Sequence, residues 1–161
     1  MTINPDLQGR SYPAKEVYDV GREKIREFAR AVKATHPAHF EVDAAKALGH
    51  SDLVAPPTFA IIVAQRADAQ LIEDPDSGID FSRVVHADQR FIHHRPIVAG
   101  DRLVAELHVD GVRAMGGGAM ITTRSEIFAL AAGAAEAAAG DDTREAVATA
   151  TSSILVRGEG Q

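Results

Sequence analysis

The chain has 161 residues, of which 45% are hydrophobic and 25% are charged, a composition typical of one soluble globular domain. A net charge of −6 argues against a broad nucleic-acid-binding surface. Cysteine is absent, which excludes disulfides, thiolate metal sites and a cysteine nucleophile and suits a reducing compartment. No signal peptide and no bilayer-spanning apolar run is recognisable. We therefore expect one cytoplasmic domain over residues 1–161, with neither a nucleic-acid nor a membrane partner.

The N-terminal part of the chain predicts a short strand and an amphipathic helix. The strand lies within residues 12–20 (YPAKEVYDV), and the helix follows in REKIREFARAVK. Apolar residues recur along this helix at helical spacing and are Ile25, Phe28, Ala29 and Val32. Thr35 or His36 should end the helix, because Pro37 follows and a helix rarely continues into a proline.

Two further helices are predicted before the periodicity changes. EVDAAKALGH indicates a short helix with Asp43 in its first turn and Gly49 at its C-terminal end. The next segment, APPTFAIIVAQRADAQLIED, is apolar on several sides and predicts a long, buried central helix. Pro56 and Pro57 lie at its start, where the N–H groups that prolines lack would have no partner within the helix.

Beyond residue 82 the chain predicts four antiparallel strands, because β-branched residues in partial alternation replace the helical spacing. The strand segments are SRVVHADQRFIHHRPI, DRLVAELHVDGVRA, AMITTRSEIFALA and EAVATATSSILVRG. AMGGGA should form a hairpin, and the alanine-rich AGAAEAAAGDD a mobile loop. Helices followed by strands indicate an α+β fold with one sheet around the central helix. The free edge of such a sheet favours a homodimer or a heterodimer.

Two histidines on either side of a proline stand out in KATHPAHFEVDAAKALG, and they indicate either a catalytic or a metal-binding role for His36 and His39. The other histidines do not complete a metal site. On a strand, His86 and His94 would lie about 26 Å apart, and His93 and His94 would face opposite ways. We therefore expect no bound metal and no other cofactor.

The same segment resembles the signature of the hotdog-fold, MaoC-like hydratases and dehydratases. Phe28, Pro37, His39 and Ala45 stand at the spacings of that signature, and LVAPPTF and RPIVAGDRL continue the match along the chain. The resemblance implies a hotdog fold, in which an antiparallel sheet wraps around a long central helix. It also implies the addition of water to 2-enoyl thioesters of coenzyme A or acyl carrier protein, or its removal from 3-hydroxyacyl thioesters.

The chain departs from this family at the catalytic positions. Ala34 replaces the catalytic aspartate, while His39 retains the catalytic histidine. His36 replaces an asparagine and is predicted to bond the local backbone instead of acting in catalysis. Pro57 replaces a glycine whose N–H holds the thioester oxygen in the family. General acid–base help contributes roughly 10²–10⁴ in rate and one such donor about 10²–10³, so we predict severely impaired or absent catalysis by this chain alone.

This pattern is similar to the non-catalytic subunits of the mycolate-pathway 3-hydroxyacyl-ACP dehydratases, to which VGREKIREFA, LVAPPTF and PIVAGD also correspond. The resemblance implies a substrate-binding subunit that pairs with a catalytic hotdog chain and binds acyl-CoA or acyl-ACP. The residues that it places at the substrate are His36, Pro57, Thr58, Phe59, Ile62 and Val63.

Three alternatives stay open. The chain could be a non-enzymatic homodimer that binds acyl thioesters or another apolar ligand. It could be an active homodimeric hydratase in which His39 works with Glu41 or Asp43 as the acid. A purely structural role of His39 is as plausible as a functional one.

Overall fold

The computed structural model describes residues 3–134 and 144–158. The helices are α1 (Arg22–Ala31), α2 (Val42–Ala47) and α3 (Ala60–Glu73), with 3-10 turns at Pro5–Leu7, Pro37–His39 and Phe81–Arg83. The strands are β1 (Ser11–Tyr12), β2 (Tyr18–Asp19), β3 (Val84–His93), β4 (Arg102–Met115), β5 (Gly118–Leu130) and β6 (Arg144–Val156). The predicted alanine-rich loop lies for the most part outside the described residues.

The strands form one antiparallel sheet in the order β1-β4-β5-β6-β3, and β2 pairs with β4 beside β1. The four predicted C-terminal strands are therefore confirmed. Within the described residues β3 pairs with β6 alone, so β3 is an edge strand. Val85 and Ile92 on this edge strand are 40% and 52% exposed. An edge of this length with apolar side chains is suited to pairing with another chain.

Helix α3 packs across one face of the sheet, against β4, β5 and β6. Its buried residues recur at helical spacing and are Ala60, Val63, Ala64, Ala67 and Leu71. Burial of each larger apolar side chain stabilises the fold by about 1.5–3 kcal/mol. The prediction of a buried central helix is confirmed for this face, whereas Gln65 and Arg66 on another face are exposed.

Helix α1 ends earlier than the sequence predicts, at Ala31 instead of Thr35 or His36. Lys33 has a positive φ of 57°, a left-handed conformation that stops a helix. The Ala34 N–H then bonds to the Ala29 carbonyl at 2.8 Å and closes the helix end.

The single strand predicted within residues 12–20 is also wrong in detail, because two separate two-residue strands pair with β4. Pro13 directly follows β1 and has no N–H to donate to a ladder. The Tyr12 hydroxyl donates to Asp74 at 2.7 Å, and burial together with this carboxylate raises the pKa of Tyr12 to about 12.

The AMGGGA hairpin is confirmed between β4 and β5. Gly116 and Gly117 form its two-residue turn with φ of 43° and 90°. Positive φ at both positions is the backbone geometry that matches the twist of a tight hairpin. Of the helices that the structure describes, none combines the length and apolar character needed to cross a membrane.

Candidate functional site

The His36 side chain begins the 3-10 turn Pro37–His39 by accepting a hydrogen bond from the Ala38 N–H at 3.1 Å through Nδ1. This confirms the predicted bond of His36 to the local backbone. The ring is exposed to solvent, and the turn presents the His39 ring nearby, with 6.1 Å between the two ring centroids.

The half-buried His39 imidazole donates from Nδ1 to the Val54 carbonyl at 2.6 Å. Because a carbonyl oxygen only accepts, the Nδ1 atom carries the proton, and in the neutral ring Nε2 keeps its lone pair. The Val54 N–H donates in the opposite direction, to the Ala38 carbonyl at 3.1 Å. The turn and the segment before α3 are thus joined by two hydrogen bonds that fix the orientation of the imidazole.

The segment before α3 is held by the stretch that precedes β4. Val54 and Val98 form an antiparallel bridge, flanked by a 2.8 Å bond from the Ala55 N–H to the Ile97 carbonyl. The Ala99 N–H bonds to a carbonyl of the same segment at 2.9 Å. RPIVAGDRL therefore positions the start of the central helix.

Asp101 fixes the turn at the end of that stretch. Arg95 binds both of its carboxylate oxygens, at 2.9 and 3.0 Å, and the Val98 N–H donates to it at 2.9 Å. A carboxylate held by three donors, two of them from one arginine, has a structural role, because most of its lone pairs are used. Asp101 therefore holds the turn that leads into β4.

The family resemblance requires a carboxylate and a main-chain N–H that positions 34 and 57 do not have. Ala34 offers only a methyl group, and Pro57 has no N–H. Glu41 and Asp43 are exposed, and neither carboxylate bonds to His39 within the described part of the chain. The same residues contain no group of three or more His, Asp or Glu side chains arranged for a metal ion.

One main-chain donor does remain at the start of α3. Among the described residues the Thr58 N–H has no acceptor, whereas the Phe59 N–H bonds to the Pro56 carbonyl at 2.9 Å. Pro57 and Thr58 are both exposed. The predicted substrate-binding positions 57 and 58 are therefore accessible from solvent.

Phe59 and Val63 lie in the core, 0% and 3% exposed. The Phe59 ring packs edge-to-face against Phe28 and Tyr18, with centroids 5.3 and 6.3 Å away. Substrate contact by these two residues stays a prediction. Ile62 is more accessible, since with Phe28 it lines a cavity of about 570 Å³ between α1 and α3.

The sequence did not indicate the role of the Val54 carbonyl, because every residue has a backbone carbonyl and the residue type does not show which one accepts a hydrogen bond. The only available signal was the match of LVAPPTF itself, which placed this segment beside the histidine by analogy.

Comparison with known proteins gives consistent results. A sequence profile described as FAS1-like, dehydratase domain region, matches residues 6–131. A UPF0336 protein of Clavibacter michiganensis subsp. michiganensis is 50% identical over 159 residues, which cover 99% of each chain.

Solved structures are similar over nearly the whole chain. One is the C-terminally truncated HadBC (3R-hydroxyacyl-ACP dehydratase) complex of Mycobacterium tuberculosis, with 36% identity and a TM-score of 0.77 over 93% of this chain and 97% of that chain. A second, described as a MaoC-like dehydratase, has 33% identity and a TM-score of 0.79 over 95% of this chain and 43% of that chain. A M. tuberculosis protein described as having a double hotdog fold is similar at 17% identity, with a TM-score of 0.70 over 96% of this chain and 41% of that chain.

Proposed function

The chain belongs to the MaoC-like dehydratase family of hotdog-fold proteins, within the UPF0336 group, and we propose that it is the catalytically degenerate, substrate-binding subunit of a 3-hydroxyacyl-thioester dehydratase. In this role a second hotdog chain supplies the catalytic groups, and this chain helps to bind an acyl-CoA or acyl-ACP in the cytoplasm. The likeness to HadBC supports the proposal, because that protein is described as a complex that acts as a 3R-hydroxyacyl-ACP dehydratase.

The observation that carries the proposal is that no carboxylate bonds to His39 in the described residues. Hydration of an enoyl thioester needs a base that activates water and a proton for the neighbouring carbon. The Nε2 atom of His39 can accept from a water, because Nδ1 is bound to the Val54 carbonyl. The methyl side chain of Ala34 can neither donate nor accept a hydrogen bond, so it cannot serve as the second acid–base group. The arrangement therefore favours binding over turnover.

A second candidate function is that of an active homodimeric hydratase, and two observations favour it. The Nε2 lone pair of His39 is available to accept a proton, and the Thr58 N–H is available to hold a developing oxyanion. In that case the acid would have to come from Glu41 or Asp43 after a change in their placement, or from the second protomer.

Hydration of crotonyl-CoA by the purified chain separates these functions. The proposed subunit turns over no crotonyl-CoA above a buffer blank, whereas turnover at the rate of an intact MaoC-like hydratase would reject the proposal in favour of the active homodimer.

Co-expression tests the partner. A hotdog chain that retains Asp-x-Asn-Pro-x-His is produced with and without this chain, and hydration of crotonyl-CoA and longer enoyl thioesters is measured. We expect the pair to co-purify and to exceed the catalytic chain alone on the longer substrates. Co-purification with unchanged rates would contradict a substrate-binding role, and failure to co-purify would favour a non-enzymatic homodimer that binds acyl thioesters or another apolar ligand.

A further inference from the structure

A cavity of about 700 Å³ lies between the C-terminal half of α3, β3 and β6. Its walls are mainly apolar and are formed by Leu71, Ile72, Phe81, Val84 and Ile154. None of its lining residues comes from residues 33–59, so it is separate from the His39 site. A volume of this size suits a small molecule.

Asp68 is the less exposed of the two carboxylates that line this cavity. The Thr123 hydroxyl donates to Oδ1 of Asp68 at 3.1 Å, and within the described residues Oδ2 has no hydrogen-bond partner. Burial raises the pKa of Asp68 to about 6, because the carboxylate has lost much of its water. At neutral pH the cavity therefore contains a desolvated negative charge with one unused oxygen.

The other polar groups of the cavity do not neutralise this charge. From β6, the Ser152 hydroxyl donates to Gln89 at 2.6 Å and is already used. From β3, the exposed His86 is within electrostatic range of Asp68, but its Nε2 donates to the Asp88 carbonyl at 3.1 Å. Helix α3 adds a further carboxylate, Glu73, and the lining contains neither Lys nor Arg.

We infer that this cavity binds a small aliphatic amine, with the ammonium group against Asp68 and the hydrocarbon chain along the apolar walls. A half-buried carboxylate that forms no ion pair within the described residues gains most from a ligand that supplies a positive charge, since hydrogen bonds between ionised groups are about twice as strong as neutral ones. The apolar walls add affinity for each methylene group that leaves water. The inference does not depend on the proposed function, because it concerns binding by the chain itself.

Isothermal titration calorimetry at pH 7.5, with the full chain and two probes of equal length, tests this inference. Octylammonium is expected to bind with one-to-one stoichiometry, and octanoate at least ~10-fold more weakly because its charge has the wrong sign. Equal affinities for the two probes, or no saturable binding of octylammonium, would overturn the inference. This comparison needs no variant and stands even if a substituted chain misfolds.

Two variants distinguish binding of octylammonium in the cavity from its non-specific attraction to an acidic protein. Asp68→Asn keeps the side-chain shape and an oxygen that can accept from Thr123, and should weaken octylammonium binding by at least ~10-fold. Asp76→Asn removes the same charge from an exposed position just after α3 and should change the affinity by less than about twofold. Equal behaviour of the two variants would show non-specific binding and reject the site.

The pH dependence gives an independent readout. Octylammonium binding should weaken as the pH falls through about 6, because a protonated Asp68 no longer attracts the ammonium. Protonation of His86 would act in the same direction, so the titration is repeated with His86→Gln. The loss of affinity should persist in that variant, and its disappearance would assign the effect to His86 and contradict the role of Asp68.

Discussion

His39 donates a 2.6 Å hydrogen bond from Nδ1 to the carbonyl of Val54, 15 residues further along the chain. The Val54 N–H returns a bond to the residue before His39, at 3.1 Å. The histidine that the family resemblance places at the catalytic position therefore joins two segments of the fold. These hydrogen bonds give His39 a structural role that does not require catalysis, although Ala34 replaces the aspartate.

Replacement of this histidine tests that explanation. His39→Ala should lower the free energy of unfolding by about 1–3 kcal/mol, because it leaves the Val54 carbonyl without its partner. Urea denaturation measures the change. His50→Ala is the matched control, since the His50 side chain makes no hydrogen bond within the described residues, and it should cost less than about 0.5 kcal/mol. In a complex with a catalytic chain, kcat should stay within about twofold of the parent complex; a fall of 10²-fold in folded protein would identify His39 as catalytic.

Restoring the missing groups should create activity. Ala34→Asp combined with Pro57→Gly returns a carboxylate and a main-chain N–H to the site, which together are worth several powers of ten in rate. We expect measurable crotonyl-CoA hydration by this double variant in a spectrophotometric assay. The control is Ala34→Asn with Pro57→Gly, which has the same size but lacks the ionisable group and should stay inactive. An inactive aspartate variant that folds normally would mean that position 34 is not aligned with His39.

Phe59 should behave as a core residue. Its ring is fully buried against Phe28 and Tyr18, so Phe59→Ala should destabilise the protein by about 3–5 kcal/mol. Phe81→Ala removes the same atoms from a side chain that is 68% exposed and should cost less than about 1 kcal/mol. Thermal denaturation of both variants measures the difference. Similar losses would contradict the packing described for Phe59.

Asp68 should make stability depend on pH. Its pKa rises from an ordinary value of 3.8 to about 6, so the folded chain holds a proton that the unfolded chain releases. The resulting stabilisation is fully present below about pH 4 and is lost as the pH rises through about 6. The folded protein with an ionised Asp68 is therefore less stable by about 3 kcal/mol. Asp68→Asn should stabilise the protein by up to that amount at pH 8 and by much less at pH 4.

Urea denaturation of Asp68→Asn and of the parent chain between pH 4 and pH 8 measures this effect as a difference. The difference is needed because Asp52 acts in the opposite direction: its hydrogen bond with Arg22 lowers the pKa of Asp52. Asp76→Asn serves as the exposed control, with an expected change below about 0.5 kcal/mol. A pH-independent difference for Asp68→Asn would show that the carboxyl group is hydrated in the folded protein.

The order of elements could be predicted because the change from helical spacing to alternation is strong in this sequence. The ends of the helices were harder to predict. The positive φ of Lys33, which ends α1, is set by the path of the following chain and not by the residue type. Pro13 indicates the break between β1 and β2 in the sequence. Strands of two residues form, however, only because β4 provides a pairing partner.

At the site, too, local interactions could be predicted from the sequence and distant ones could not. The bond of His36 to the Ala38 N–H was predictable, because it spans two residues and depends on a side chain at the start of a turn. The bond of His39 to a distant carbonyl was not, and a lone aspartate such as Asp68 usually indicates a solvent-facing position on a helix. Only the packing of α3 on β5 shows that this carboxylate is partly buried.

The pair of bonds between the Pro37–His39 turn and Val54 also closes the intervening chain into a loop with fixed ends. Leu48 and Gly49 lie at the outer side of this loop, where Leu48 is 58% exposed and Gly49 has a positive φ of 91° that favours glycine. Doubling the length of a flexible loop costs only about 0.6 kcal/mol in closure entropy. Extra residues or a fluorescent label at Leu48 should therefore be tolerated without displacing the imidazole, which gives the protein a natural attachment point for reporters.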